Sequence, residues 1–435
     1  MKVVIMAGGR GKRISSIASD IPKPMVRIGG KPILELIING LSRQGFKDIV
    51  ITVSYLGDVI KEYFGDGRKY GINIQYYTEN KPLGNAGALF KIRDQLTEDF
   101  LLLNADALFD IDFNRLVKFH KEKKGLATIF THPNSHPYDS GLIISDNSGA
   151  VMDWLTKEDV RPTWYKNRVN AGIHVLSPEI LDKATINKET IGLEINGKIQ
   201  KVDLDRDILK PLCGTKKMYC YDSPEYVKDM GTPERYVQVC KDYDSGLVFL
   251  KNLSNKQKAI FLDRDGTINE HIGFLNDIND FTLLPGVSTA IKKINTSGYL
   301  AIVVTNQPVI ARGELTIESL NMIHNKMETL LGEEGAYLDA IYYCPHHPDK
   351  GFTGEVTSLK IDCDCRKPKP GMILKAASDY NIKLSESWMI GDGKNDVLAG
   401  KAAGCNTILL GSSCFGQSYT ANTLIEAVDR VLSMK

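Results

Sequence analysis

Two carboxylates one residue apart, Asp263 and Asp265, close the short apolar run Ala259–Leu262 and are followed by Gly266 and Thr267. Alternation along an extended chain sends both acids to one side, where one can attack a phosphorus and the other can move protons. A second set is softer. Cys344-x-His346 and Cys363-x-Cys365, separated by sixteen residues, can close a Cys₃His tetrahedron around Zn²⁺. Four protein ligands leave no position open for water, so that zinc would be structural and would stiffen a long loop. A third set lies near the N-terminus. Gly8, Gly9 and Gly11 alternate with Arg10, Lys12 and Arg13, so backbone N–H groups can approach a phosphate with cations beside them. Lys23 is then fixed between Pro22 and Pro24, a stiffer setting than a plain surface loop requires.

These groups need elements to hold them. Val3–Met6, Ile49–Val53, Ile72–Tyr77 and Phe100–Leu103 have the apolar runs of buried strands. The glycine loop follows the first run, Glu79 and Pro82–Ala88 follow the third, and Asn104-Ala105-Asp106 follows the fourth. Ligands of a parallel α/β sheet sit outside the carboxyl ends of its strands. Asp106 at such an end suits Mg²⁺, a hard cation that takes carboxylate oxygen. The small residues around Gly84 and Asn85 would let a base and ribose pack against the backbone. Past the middle of the chain the same strand–loop–helix grammar restarts at Ala259, with no motif repeated. Ile302–Val304 leads into Thr305-Asn306-Gln307, whose hydroxyl and amides suit a phosphoryl group, and Met389–Gly391 leads into Asp392.

With 435 residues the chain is too long for one ordinary core. The expectation is α/β, with two doubly wound domains: residues 1–245, a linker at 246–257, and residues 258–435. Fifty-four basic against fifty-three acidic residues leave no excess of charge for nucleic acid or an anionic membrane. No apolar run approaches the ~20 residues of a membrane span, and the N-terminal run is too short for a signal peptide. The clustered cysteines have metal spacing, while Cys213, Cys220, Cys240, Cys405 and Cys414 read as ordinary thiols, so a reducing cytoplasm is expected.

GGRGKR followed by PKPM resembles the signature of the sugar-1-phosphate nucleotidyltransferases, GGxGTRL followed by PKPL or PKPM. The likeness extends over roughly residues 1–240. Lys12 and Ile14 depart from that pattern, and Asn85 replaces the Thr of PLGTAGAL. The resemblance implies in-line attack of a sugar 1-phosphate on the α-phosphorus of a nucleoside triphosphate, with pyrophosphate leaving. Arg13 and the glycine amides would hold the triphosphate, and Lys23 would neutralise the α-phosphoryl region. Asp106 would hold Mg²⁺ with Asp229, from the run DMGTPERY. Lys157, in VMDWLTK, would orient the attacking phosphate, and Asn170 and Gly172, in NAGI, would lie along the sugar. Thr156 stands where the family often has Glu, which argues for a sugar other than the glucose type or for binding through other residues.

DRDGT resembles the haloacid dehalogenase-like phosphatases, in the branch that contains histidinol-phosphate and heptose-bisphosphate phosphatases. The resemblance implies an aspartyl phosphate on Asp263, with Asp265 as acid and then base. It also implies Lys367 clamping the phosphate, Arg366 on the substrate, and Mg²⁺ on Asp263, Asp392 and the backbone carbonyl of Asp265. The Cys₃His spacing matches this branch, which uses the first histidine, His346, and not His347. TNQPVIARG, ending in Arg312 and Gly313, is closer to the heptose form TNQSGIARG than to the histidinol form, and the resemblance implies Arg312 on the substrate. Together the two resemblances imply a bifunctional enzyme that acts on small molecules only. Its phosphatase takes the 7-phosphate from a heptose 1,7-bisphosphate, and its transferase joins the resulting heptose 1-phosphate to GMP from GTP. The alternatives are a hexose-1-phosphate transferase joined to a histidinol-phosphate-type phosphatase, or a sugar-nucleotide-binding scaffold with one inactive half. Self-association is left open by the sequence.

Overall fold

A computed structural model of the chain describes residues 1–9, 21–54, 56–156 and 158–434. They form two compact units. One takes in the described residues of Met1–His132, Gly141–Thr156 and Asn170–Asn252. The other runs from Leu253 onward and also includes Pro133–Ser140 and residues 158–169.

In the first unit the apolar runs are strands: Val3–Met6, Asp48–Val53, Asn73–Thr78 and Phe100–Asn104. They lie parallel in the order third, second, first, fourth, and Val169–Leu176 continues the sheet antiparallel. Successive side chains point to opposite faces, and both faces are covered. Val3, Ile5, Leu101 and Leu103 join one core, while Val4, Phe100 and Leu102 join the other. Burial on both faces is why the first, second and fourth of these strands read as unbroken apolar runs, while Asn73–Thr78, at the sheet's edge, exposes Asn73 and Gln75. The helix Ile33–Arg43 buries Ile33, Leu34, Ile37, Ile38 and Leu41, the spacing of one helical face. The run DMGTP ends in a helix start. Thr232 caps Pro233–Asp244 by accepting from the Arg235 N–H at 3.3 Å, with proline at the first helical position. That helix ends just before the stretch expected as linker, and a further helical turn, Leu247–Leu250, lies inside it.

The second unit carries six strands, all parallel: Ala340–Cys344, Tyr299–Asn306, Lys258–Leu262, Trp388–Gly391, Asn406–Leu410 and Tyr419–Ala421, in that spatial order. Ile260 and Leu262 face one core, Ala259 and Phe261 the other. In each sheet the strand order reverses beside the first strand, and that reversal opens a crevice at the strands' carboxyl ends. Asp106 lines the crevice of the first unit, and Asp263 and Asp392 line that of the second.

Two candidate active sites

The first crevice holds a cavity of about 950 Å³ lined by Gly8, Gly9, Lys23, Glu79, Asn85 and Asp106, among others. Ser54 Oγ donates to the Gly8 carbonyl at 2.7 Å and fixes the start of the glycine loop. Lys23 Nζ lies 2.8 Å from Asp106 Oδ2, so the expected phosphate cation and metal carboxylate share one spot. Antiparallel pairing sets Asp229 opposite Ala107, one residue from Asp106. Its carboxylate takes the Gly231 N–H at 2.8 Å and the Arg235 guanidinium at 3.1 Å. Asp229 therefore lies on the strand paired with the one that follows Asp106, and its charge is balanced by Arg235, a partner the sequence did not announce.

Gly84 has φ +88°, and a Cβ there would meet the Val202 carbonyl oxygen at 2.2 Å, so only glycine fits this wall. Asn85, expected on the substrate, spends its Oδ1 on the Leu204 N–H at 2.7 Å and ties the cavity wall to the helical turn Leu204–Leu209. Burial raises the Glu79 carboxyl, with the Leu83 N–H at 3.2 Å opposing. On the expected sugar side Asn170 Oδ1 accepts from the Gly172 N–H at 3.1 Å, and Gly172 packs against the Asn104 amide. Arg10, Gly11, Lys12, Arg13 and Lys157 lie outside the described residues.

The second crevice, about 370 Å³, gathers Asp263, Asp265, Thr305, Lys367, Asp392 and Asp396. Lys367 is 3% exposed. Its ammonium lies 2.7 Å from Asp263 Oδ1 and 2.6 Å from Asp396 Oδ1. Burial alone would lower the Lys367 pKa, but Asp263 and Asp396 outweigh it and hold it at about 12. Asp263 is pushed up to about 6, by burial first and then by Asp396, against the pull of Lys367. Asp392 is raised too, by burial and by Asp263. Oxygens of Asp263, Asp392 and Asp396 lie within 4.8 Å of one another. Such crowding of acids fits a divalent cation. Gly266, at φ +81°, makes room for it: a Cβ there would meet Asp392 Oδ2 at 2.1 Å.

Asp265 is held differently. Burial would raise it, but Arg264, Asn269 and Gln307 bond its carboxylate and keep it below the usual range. Arg264, fully buried, also reaches Gln307 Oε1 at 3.1 Å and His324 Nε2 at 3.3 Å. Thr305 Oγ1 accepts from Gln307 at 2.9 Å, leaving its own O–H to donate. The Asn306 amide, expected on the phosphoryl group, instead makes two 3.0 Å bonds to the Lys367 backbone and so positions the lysine. Arg366 reaches the His346 carbonyl at 3.3 Å.

Beside this crevice Cys344, His346, Cys363 and Cys365 converge. Sulfurs lie 3.1–3.5 Å apart and His346 Nδ1 is 3.3 Å from Cys365 Sγ and 3.7 Å from Cys344 Sγ. Bonds of about 2.3 Å to a central Zn²⁺ put ligand atoms about 3.7 Å apart, so these residues fit that ion. His347 is engaged elsewhere, its Nδ1 accepting from the Asp349 N–H at 3.2 Å.

Sequence reasoning missed Asp396, Asn269 and Arg264 as members of the second site, and it expected on the phosphoryl group the Gln307 amide that instead donates to Asp265 and Thr305. Asp396 carried a signal, four residues after Asp392 in the first turn of Lys394–Ala403. A fully buried arginine between two acids carried none, since arginine is ordinarily exposed.

The nucleotidyl transferase family model matches residues 2–246, and a HAD-hydrolase-like model matches residues 364–431. The D-glycero-beta-D-manno-heptose-1,7-bisphosphate 7-phosphatase of Pasteurella multocida is 44% identical over 155 residues, which are 35% of this chain and 82% of the relative. A UTP–glucose-1-phosphate uridylyltransferase of Synechocystis is 35% identical over 196 residues, 42% of this chain and 50% of the relative. A mannose-1-phosphate guanyltransferase of Yarrowia lipolytica is 31% identical over 264 residues, 59% of this chain and 66% of the relative. The first half of the chain thus belongs to the nucleotidyl transferase family and the second to the family of the D-glycero-beta-D-manno-heptose-1,7-bisphosphate 7-phosphatases, which makes the chain an enzyme with a transferase half and a phosphatase half.

Proposed function

We propose that the chain performs two consecutive steps of nucleotide-activated heptose synthesis. It removes the 7-phosphate of D-glycero-D-manno-heptose 1,7-bisphosphate, then transfers GMP from GTP to the heptose 1-phosphate, releasing pyrophosphate and giving GDP-heptose. The observation that carries this reading is Asp263 held 2.7 Å from the buried Lys367, with Asp392 and Asp396 converging on it, in a half that is 44% identical to a heptose-bisphosphate phosphatase. We take the halves to be residues 1–245 and 258–435, acting on small molecules in the cytoplasm. Among the described residues no helix is long and apolar enough to cross a membrane.

In the phosphatase half an Asp263 oxygen attacks phosphorus, the bond to the C7 oxygen breaks, and that oxygen takes a proton from Asp265. Water then attacks the aspartyl phosphate, gives its proton to Asp265, and frees phosphate and Asp263. Because Arg264 holds Asp265 ionised, its carboxyl must turn from Arg264 to carry a proton. Lys367 follows the phosphoryl charge throughout. Mg²⁺ on Asp263, Asp392 and the Asp265 carbonyl would neutralise the crowded oxygens. Zn²⁺ on the three cysteines and His346 would order the loop that leads into Arg366 and Lys367.

In the transferase half no covalent intermediate forms. Arg13, the Gly8–Gly11 amides and Lys23 hold the triphosphate, and Lys157 with Asn170 and Gly172 orient the sugar phosphate, whose oxygen displaces pyrophosphate. Mg²⁺ on Asp106 and Asp229 would offset charge on the phosphates. The transferase relatives are named for different bases, uracil and guanine, so guanine rests on the pairing with a heptose phosphatase.

The test is an end-point assay of the purified chain with each anomer of heptose 1,7-bisphosphate, Mg²⁺ and one nucleoside triphosphate per tube. Phosphate in every tube of one anomer, with sugar nucleotide only beside GTP, is the expected result. Absence of phosphate release from both anomers would sink the heptose reading.

A further inference from the structure

Arg312 has no role in the chemistry above, although its place in TNQPVIARG led to the expectation that it touches substrate. Its guanidinium carbon lies 4.2 Å from the ring centre of Phe274 and 4.2 Å from that of Phe352. Its Nε lies 2.9 Å from Glu314. Phe274 lines the phosphatase crevice and is half exposed. Phe352 belongs to the loop between His346 and Cys363. A second cation lies over Phe352: Lys360 Nζ is 4.3 Å from its ring centre and is itself bonded to the Asp349 carbonyl at 2.8 Å. Glu355 closes the arrangement by accepting from the Gly351 and Phe352 N–H groups and pairing with Lys360. Ring, cation, ring and cation thus make a column from the crevice wall into the cysteine–histidine loop.

The backbone supports the column from below. The Val356 N–H donates to the Ala311 carbonyl at 3.0 Å. The α-carbon of Gly313 packs so closely on the Gly354 carbonyl that no side chain fits between them. The loop is therefore seated on the segment that carries Arg312, and the Arg312 guanidinium lies over the Phe274 ring.

We propose that Arg312 is a positioning residue that fixes Phe274 as the wall of the phosphatase crevice by tying it to the cysteine–histidine loop through Phe352. The wall is then ordered only when that loop is, and the fit of the sugar depends on residues that never touch the phosphate. This rests on the phosphatase reading for its consequence on substrate, but the tie itself can be measured without substrate.

The experiment compares amide hydrogen exchange of the full chain with Arg312→Met, Phe352→Leu and the double variant. Exchange across residues 271–276 should rise about tenfold in either single variant and no further in the double, a change of ~1.4 kcal/mol in local opening. Strand Lys258–Leu262 should be unchanged. Arg312→Lys, which keeps a cation, should restore part of the protection. In kinetics KM for the sugar bisphosphate should rise about tenfold with kcat nearly constant, while a small aryl phosphate, which does not need the wall, should be hydrolysed as before. Unaltered exchange at 271–276 in Arg312→Met overturns the proposal. So does a KM loss that vanishes for heptose 7-phosphate, since Arg312 would then be binding the second phosphate directly. If the wild-type chain ignores heptose bisphosphate, the substrate reading fails while the exchange result still decides the tie.

Discussion

Lys367 balances the second site, because the carboxylates of Asp263, Asp392 and Asp396 converge there and its ammonium lies 2.6–2.7 Å from two of them, Asp263 and Asp396. Replacing it by methionine keeps most of the volume and removes the charge. Loss of one partner from a buried pair costs about 3–5 kcal/mol. Lys367→Met should lower the stability of the second half by that order, read by urea unfolding without metal, and should reduce phosphatase activity by at least about 10³-fold. Unchanged activity would remove Lys367 from the mechanism. A second residue of this network responds to pH. His324 is lowered to about 3, by burial first and then by Arg264. Between that value and the ordinary 6.5 the unfolded chain binds more protons, so stability falls as pH drops below 6.5. At pH 5 the penalty is about 2 kcal/mol. His324→Gln keeps an acceptor toward Arg264 and should lose that dependence, so the gap between variant and wild type should shift by about that amount from pH 7.5 to pH 5. At this scale the sequence revealed acids and thiols whose spacing is chemistry in itself. It hid Arg264, whose role comes only from what it bonds.

Among the elements, the loop from Cys344 to Cys365 buries little: none of residues 345–359 is buried. Its ends are gathered by the four ligands, and its middle is held by Phe352, Lys360 and Glu355. Since ligand and thiolate must meet, metal affinity becomes folding energy here. The purified chain should carry one zinc per chain by elemental analysis. Cys363→Ser should lose it, lower the melting temperature of the second half by about 5 °C, and raise exchange across residues 345–362. A zinc-free chain with the same melting temperature would refute the site. The convergence of Cys344, His346, Cys363 and Cys365 was legible because Cys-x-His and Cys-x-Cys state a geometry. The strands were legible because burial on both faces leaves apolar runs such as Phe100–Leu103 and Ala259–Leu262. The helix at Pro233 was not: its first turns are charged, and its start lies in Thr232 and Pro233, which read equally well as part of a binding motif.

For the whole molecule, both sheets run third, second, first, fourth, and each places its acids where the order reverses. Two sites built by the same rule can work in series without sharing a residue. The product of one would be the substrate of the other, and nothing in either crevice requires it to pass without leaving. Asp263→Asn should lose the phosphatase step and still convert heptose 1-phosphate and GTP to GDP-heptose. Asp106→Asn should do the reverse, releasing phosphate from the bisphosphate and accumulating heptose 1-phosphate. Mixed in equal amounts, the two variants should restore GDP-heptose from the bisphosphate after a lag that shortens as total protein rises, because the intermediate crosses between molecules through solution. A mixture that fails while each variant keeps its remaining step would mean that the intermediate is withheld from solution. A mixture that works, with wild type showing the same lag at equal concentration of sites, would mean that joining the halves supplies equal amounts of two enzymes and no private route between them.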